Sequence, residues 1–497
     1  MKKILLAILF LLAIIAATYK FWPKKTRNNY NIMLIDIDIL RADALPCYGY
    51  HRNTAPNICE WAKRSMIFEK NYAISPWTLP AMFSTITSLY PTFHNVRTLY
   101  TDKLSSEIPT LAEVLHQQGY QTVFIGENSP GLLTKENDGL RGYDQVIADQ
   151  SIEKVINEIS KNSKPWFIHY YQGNLHMPYL LPDGEKPIEN STPPKNLPIT
   201  NLDFDLSLNI YLKKHYTEVF QKKTIEKNSS IVLAPEKATD TSVTELFYRL
   251  SGKNQEKYLV DVWKPIYETY MQSFNQNNPD EVAYVRMMYD TNIKLMDEKL
   301  GTLFKKLETK ELKEKTVTVL MSDHGEAFGE HGTFAHEYNY HTELFKTPLI
   351  IHSPNLKAKQ IEQPTSNMDI FPTLLDLVGI KQIDGLQGQS LLSEIDPERF
   401  VLGEAGYGGI SGAVWQNKNW LYFLSKESTN IKQSILYNKL TDPGEKNNVA
   451  KDYPELVELL YKKSNLLRSY ETENTVDFNQ TDLSPEKIKR LQKEGYF

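Results

Sequence analysis

Short unbroken apolar runs alternate along most of this chain with segments whose apolar residues recur every three or four positions. The runs are NIMLIDIDIL (31–40), YQTVFIG (120–126), PWFIHYY (165–171), TVTVLM (316–321) and PLIIHS (348–353). Runs of this kind, too short for a helix and without a polar alternate, read as strands buried on both faces. SEIPTLAEVLHQQG and DTNIKLMDEKLGTLFKKLE, between them, carry the helical period. Strands alternating with helices predict an α/β fold, a mostly parallel sheet flanked by helices. In such sheets ligands bind beyond the carboxyl ends of the strands.

One helical segment carries an ambiguity. In SPWTLPAMFSTITSLYP (75–91), Met82, Phe83, Ile86, Leu89 and Tyr90 recur at helix spacing, preceded by Thr78 and with Pro80 in the first turn. A hydroxyl residue there is the usual N-cap of a core helix with one buried face. It is equally the way to present a hydroxyl to an anion held at a helix N-terminus.

The alternation breaks three times. Residues 1–27 hold Lys2 and Lys3, then an apolar run from Ile4 to Ala17 without a small-x-small cleavage site, which reads as a membrane anchor or signal, an uncleaved helix being preferred. A short N-terminal tail places the body outside the cytoplasm, periplasmic or extracellular, although Lys20, Lys24, Lys25 and Arg27 weigh against that orientation. Within a catalytic domain spanning 28–384, residues 183–283 form a Pro- and polar-rich insertion. From 385 to 497, GAVWQNKNWLYFLSK and SILYNKLTDPGEKNN read as short antiparallel strands before a final helix, a small C-terminal α+β subdomain.

Composition narrows the partners. The 497 residues carry a net charge of −5 and no basic run, which argues against nucleic acid. Cys47 and Cys59, the only cysteines, read as two small buried hydrophobes, with a single bridge in an oxidising compartment as the alternative.

Acidic residues inside apolar strands are the strongest chemical signal. Asp38 ends the first run, with Asp36 two residues earlier, and TVTVLM runs out into Ser322, Asp323, His324 and Gly325. Buried carboxylates cost several kcal/mol unless their charge is compensated, and a shared divalent cation does that. Mixed carboxylate and imidazole ligation favours Zn or Mn, with Ca, which takes six to eight oxygens, the weaker fit. His176 in NLHMPY, and His331 and His336 in GEHGTFAHEY, stand in loops after strands, where imidazoles are available for chemistry.

From about residue 30 to 465 the chain resembles the sulfatase family of the alkaline phosphatase superfamily. The resemblance rests on IDILRADALPCYGYHRNTAPNI, SPWTLPAMFSTITSLYP, HYYQGNLHMPY, SDHGEAFGEHG, SNMDIFPTLLDLVGI and LTDPGEKNN. It implies an alkaline-phosphatase-like sheet and metal-ligand positions at Asp38, Asp323 and His324. It places Thr78 at the nucleophile and metal-facing position, and His176, His331 and His336 where substrate oxygens are contacted or the leaving group is protonated. Typical members carry a Cys, matured to formylglycine, in a C-x-P-x-R frame; here that frame reads Thr78, Leu79, Pro80, Ala81, Met82. The second of the family's paired Asp is Ile39, and its Lys after the GY-T strand is Glu127. A Thr nucleophile is similar to the superfamily's phosphoryl-transferring branch. The resemblance therefore implies a metal-dependent hydrolase of phosphate or sulfate esters working through a covalent Thr78 intermediate. Its substrate would be a small-molecule, lipid or glycan ester. The alternatives are a membrane phosphotransferase of the phosphoethanolamine or glycerophosphate type, and a catalytically silent sulfatase-like binding protein.

Overall fold

A computed structural model of the chain describes residues 28–473, apart from 98–101, 128–132, 149–151, 162, 183, 199–263, 337–338 and 408–409. The expected anchor (1–27) and most of the expected insertion (183–283) lie outside the described residues. Among the described residues no helix is long and apolar enough to cross a membrane.

The main sheet is built from β1 (Asn31–Ile37), β2 (Met66–Tyr72), β3 (Gln121–Glu127), β4 (Gln145–Ala148), β5 (Trp166–Gln172) and β6 (Thr316–Met321). After a two-stranded hairpin, β7 (Ala327–Phe328) and β8 (Phe334–Ala335), it is completed by β9 (Lys346–His352), β10 (Lys359–Ile361) and β11 (Thr365–Ser366). Its order is β10-β2-β9-β6-β1-β5-β3-β4, with β11 continuing alongside β2. β1 lies at the centre, parallel to both neighbours, with Ile32 opposite Phe167 and Val317.

Every residue of β1, β5 and β6 is buried, which explains their unbroken apolar reading. Alternate side chains still part company. Met33, Ile35 and Ile37 pack with Met288, Tyr289 and Ile293 of α3 (Pro279–Leu307), whereas Ile32 and Leu34 pack with Leu374 and Leu375 of α4 (Ile370–Val378) on the opposite face. Two further helices, α1 (Pro56–Ala62) and α2 (Thr78–Thr87), follow the outer loops.

β9, the run PLIIHS, is an antiparallel member of the mostly parallel sheet: it runs antiparallel to both β6 and β2. Between β6 and β9 the described residues hold no helix longer than the four residues Thr342–Phe345, whereas a parallel pairing usually returns through a full crossover helix. β2, with the half-polar sequence MIFEKNY, shows no continuous apolar run, and its burial is mixed.

The C-terminal subdomain is a four-stranded antiparallel meander, β12 (Val401–Tyr407), β13 (Ile410–Gln416), β14 (Trp420–Ser425) and β15 (Ile435–Asn438), backed by α5 (Pro454–Glu473). Trp415, Tyr422 and Leu436 share one core with Leu460 and Tyr470 of α5 and with Trp77, Met82 and Phe83. As a result all ten residues of α2 are buried, not the single face its apolar period predicts. The subdomain closes over the far side of that helix.

Cys47 and Cys59 are not separate hydrophobes. They form a disulfide with a Cα–Cα distance of 5.3 Å. The turn Pro46–Tyr48 packs against α1, which brings the two thiols within bonding reach. The bridge closes the loop that leaves β1.

Candidate active site

Four chain segments leave the carboxyl edge of the sheet and converge. Asp38 lies one residue beyond β1, where its backbone N–H donates to the Gln172 carbonyl at 3.0 Å and so continues the ladder. Asp323 and His324 follow β6. Thr78 follows the loop after β2, and His176 the loop after β5. Asp38, Asp323 and His324 each offer a ligand atom, all within 4.8 Å of one another, and all three residues are buried.

Thr78 joins this group. It is the first helical residue of α2, Trp77 holds the cap position, and no side chain caps the helix. The capping role expected for Thr78 is therefore absent, because the cap position falls one residue earlier. Its hydroxyl points instead to His324 Nε2 at 3.1 Å and Asp38 Oδ1 at 3.4 Å. His324 Nδ1 lies 2.8 Å from the Gly325 carbonyl, which can only accept, so Nδ1 carries the proton and Nε2 presents a lone pair to Thr78. Burial, then the neighbouring His336, lower the His324 pKa to about 3, which keeps the ring neutral.

The carboxylates decide whether a cation fits. His324 Nε2 is 3.6 Å from both Asp38 Oδ1 and Asp323 Oδ2. Asp323 Oδ1 accepts from the backbone N–H groups of His324 and Ile39, but Oδ2 is buried without a hydrogen-bond partner. Burial, then Asp38 and Asp36, push the Asp323 pKa well above the usual carboxylate range. A buried carboxyl oxygen with no donor, facing a second carboxylate, an imidazole lone pair and a hydroxyl, is a donor set suited to a divalent cation, whose charge would hold the carboxyl ionised. Asp36 takes a different place: it faces His169 Nε2 at 3.4 Å, and its Oδ1 is likewise buried without a partner.

Two more of the expected histidines adjoin this cluster. The His336 ring stacks at a tilt over His324, centroids 4.6 Å apart, and His176 meets His336 edge-on at 5.0 Å. His331 is elsewhere. Its ring lies flat on His341 at 3.4 Å, and its nitrogens face Glu343 and the Gly444 carbonyl, both at 3.0 Å. His331, His341 and Glu445 also lie close enough to suggest a cation site. Two imidazoles stacked in parallel planes 4° apart cannot both aim an in-plane lone pair at one ion, so the group reads as a clamp onto the C-terminal turn.

Several residues absent from the sequence reading hold the site. The Tyr289 hydroxyl of α3 accepts from Arg41 N at 3.0 Å and donates to the Ile39 carbonyl at 2.8 Å. It pins the turn after Asp38, where Ile39 has φ 53°, a left-handed backbone rarely adopted by a β-branched residue. Arg41 ties that turn to the second loop through the Glu326 carbonyl at 2.8 Å and the Glu330 carboxylate at 2.7 Å. Glu326, pushed up to about 8 by burial, takes contacts from Tyr179 Oη at 2.9 Å and His336 Nδ1 at 3.0 Å. Burial, then Asp38, Asp323 and Asp36, raise the Tyr171 phenol far above its usual range. The Asp323–His324 pair was visible in the sequence; its phenolic and amide supports carry no local pattern.

Known proteins resemble this chain in sequence and in fold. The sulfatase family model matches residues 30–380. An N-acetylglucosamine-6-O-sulfatase of Bacteroides thetaiotaomicron is 23% identical over 505 residues, covering 88% of this chain and 86% of that protein. A Delta 4,5-hexuronate-2-O-sulfatase of the same organism is 23% identical, covering 94% of each. In fold, the phosphonate monoester hydrolase of Agrobacterium radiobacter superimposes with a TM-score of 0.61 at 18% identity, over 89% of this chain and 96% of that one. With the family model matching most of its length, the chain belongs to the sulfatase family, hydrolases of sulfate or phosphate esters on an alkaline-phosphatase-like fold.

Proposed function

We propose that this sulfatase-family chain cleaves phosphate or sulfate esters by direct attack of the unmodified Thr78 hydroxyl, through a covalent Thr78 ester. The observation that carries the reading is the Thr78 hydroxyl itself, which leaves its helix uncapped and sits 3.1 Å from His324 Nε2 and 3.4 Å from Asp38 Oδ1. Asp38, Thr78, Asp323 and His324 would hold one divalent cation, Zn or Mn before Ca, which supplies Lewis acidity that lowers the pKa of an oxygen nucleophile and offsets charge on the tetrahedral centre.

The chain's own groups account for the remaining requirements. The N-terminus of α2 adds its partial positive charge beside Thr78. The Thr78 proton passes to solvent as Oγ1 bonds to phosphorus or sulfur, the bond to the ester oxygen breaks, and that oxygen takes up a proton from an adjoining imidazole. His176 and His336, the two imidazoles beside His324, are assigned to ester-oxygen contact and leaving-group protonation. Water then cleaves the Thr78 ester and restores the hydroxyl. An acceptor hydroxyl in place of water would make the same first half a transfer reaction. Sulfated sugars, of which the two sulfatase relatives name N-acetylglucosamine and a Delta 4,5-hexuronate, enter as candidate substrates beside phosphodiesters.

The apolar run after Lys2 and Lys3 and the Cys47–Cys59 bridge support a body held at a membrane outside the cytoplasm, since such bridges persist in oxidising compartments. Protease accessibility in spheroplasts tests that placement, and a protected body refutes it. For the chemistry, protein incubated with an aryl phosphodiester or an aryl sulfate is quenched in acid and digested. A phosphoryl or sulfuryl mass increment on the peptide containing Thr78 is expected. Turnover without any adduct on that peptide, under conditions that saturate the enzyme and favour its accumulation, counts against covalent attack by Thr78.

A further inference from the structure

The motif SNMDIFPT contributes nothing to the chemistry described so far, yet its first amide reaches the loop that carries Asp323 and His324. Asn367, 1% exposed, opens the turn that follows β11. Its Nδ2 donates to the Ser322 carbonyl at 2.8 Å and leans toward the Asp323 carbonyl at 3.4 Å. Its Oδ1 accepts from Asn71 Nδ2 at 2.7 Å. Asn71, fully buried in β2, also donates to Thr347 Oγ1 at 3.0 Å and accepts from Thr365 Oγ1 at 3.1 Å. A register shift between Phe68 and Asn71, where β2 pairs with β9, precedes this contact.

Besides the bond that Asp323 Oδ1 accepts from Ile39 N at 3.3 Å, which ties one side chain to the turn after Asp38, the bonds nearest the two site residues are internal to the loop. Ser322 Oγ donates to the His324 carbonyl at 2.7 Å, and His324 N donates to Asp323 Oδ1 at 2.9 Å. These fix the loop's shape but not its orientation relative to Asp38 and Thr78. Gly325 N, donating to the Leu344 carbonyl at 2.8 Å, anchors its far end. The near end, where the two site residues begin, is gripped by the Asn367 amide. Peptide planes rotate when a carbonyl loses its donor, and rotation of the planes at 322 and 323 would swing both side chains.

We infer that Asn367, braced by Asn71, is a positioning residue that orients the Asp323–His324 segment for cation binding and for the approach of His324 Nε2 to Thr78. The pair spans β2, β9, β11 and the loop after β6, so it transmits the geometry of the sheet's outer half to the site. Neither amide touches Thr78, Asp38 or His324 directly, and neither titrates. The inference rests on the reading of Asp38, Thr78, Asp323 and His324 as a cation site, and the test separates the two.

Full-length protein stripped with a chelator is titrated with Mn²⁺ alone by equilibrium dialysis, and thermal unfolding is recorded without metal. Wild-type protein that takes up no Mn²⁺ refutes the cation site itself. With wild-type binding established, Asn367→Leu, close in shape but without donors, is expected to weaken Mn²⁺ affinity about 10–100-fold, the range seen when groups that orient metal ligands are removed. In the loaded enzyme kcat should fall while KM changes little. Asn367→Thr, which retains one donor, should recover part of the affinity. A folded Asn367→Leu that binds Mn²⁺ as wild type overturns the inference and leaves the cation site standing. Should Asn367→Leu not fold, Asn71→Ser decides: it removes the brace without touching the loop, and unchanged Mn²⁺ affinity in that variant overturns the inference equally.

Discussion

Replacing Thr78 by Ala separates chemistry from stability, because the structure assigns the hydroxyl almost no structural work. Thr78 is 4% exposed, so Thr78→Ala removes one buried methyl, about 0.8 kcal/mol, and one hydroxyl contact to His324, about 1 kcal/mol. No cap bond is lost, since none is made. The folded state should thus lose about 2 kcal/mol, a shift of a few degrees at most in a chain of this size. Loss of a covalent nucleophile, by contrast, costs up to about 10⁶ in kcat. Metal content should survive, because only a neutral donor leaves while Asp38, Asp323 and His324 remain. Thr78→Ser keeps the hydroxyl and should retain part of the activity. Thr78→Cys should not yield a formylglycine sulfatase, because Met82 replaces the Arg of that frame. Initial rates on an aryl phosphodiester and an aryl sulfate, melting curves and metal analysis on the same preparations give all three readouts. Turnover at the wild-type level by Thr78→Ala refutes the assignment.

Other outcomes follow from neighbouring geometry. Asp38→Ala and Asp323→Ala should each lose bound metal sharply, while Asp36→Asn, whose carboxylate faces His169, should lose little; metal analysis showing the reverse pattern would move the site two residues back, to Asp36. His331, whose side chain is 22% exposed, has its pKa raised chiefly by its bond to Glu343, and Glu445 on the other side of the stack has its own lowered by His341, Thr342 and Lys439 against the opposing effect of burial. The His331 contribution is therefore complete below the ordinary imidazole value and lost as pH rises through its raised value; the Glu445 contribution is complete above the ordinary carboxylate value and lost as pH falls through its lowered one. Melting temperatures from acid to alkaline pH should show wild type ahead of His331→Gln near neutrality, with the gap closing on the alkaline side; a gap that widens with pH would exclude the cationic clamp. Cys59→Ser removes a bridge spanning 12 positions and should cost about 2–4 kcal/mol by denaturant unfolding. Equal midpoints for that variant and oxidised wild type would show the bridge to be without consequence for stability.

The sequence made some of this legible for a physical reason: a carboxylate where a buried strand runs out is a local contradiction that only a partner resolves, so Asp38, Asp323 and the sheet edge they mark stood out. Thr78 did not declare itself, because a cap and a nucleophile call for the same residue at the same helix end, and only the hydroxyl's aim at His324 separates them. His331 and His336 lie five positions apart in one Gly-punctuated loop and look alike in sequence. Positive φ at His331, Gly332 and Ala335 turns the chain between them, so one ring meets His324 and the other meets a carbonyl at Gly444. The supports were the least visible. Tyr289 reaches Ile39 across 250 positions and Asn367 reaches Ser322 across 45, as single polar side chains within otherwise ordinary helix and turn sequence. Periodicity reports which face of an element is buried; it carries no information about which distant backbone a buried hydroxyl or amide will hold. The residues that do chemistry were thus readable from their cost, whereas the residues that orient them became readable only when the fold closed the distance.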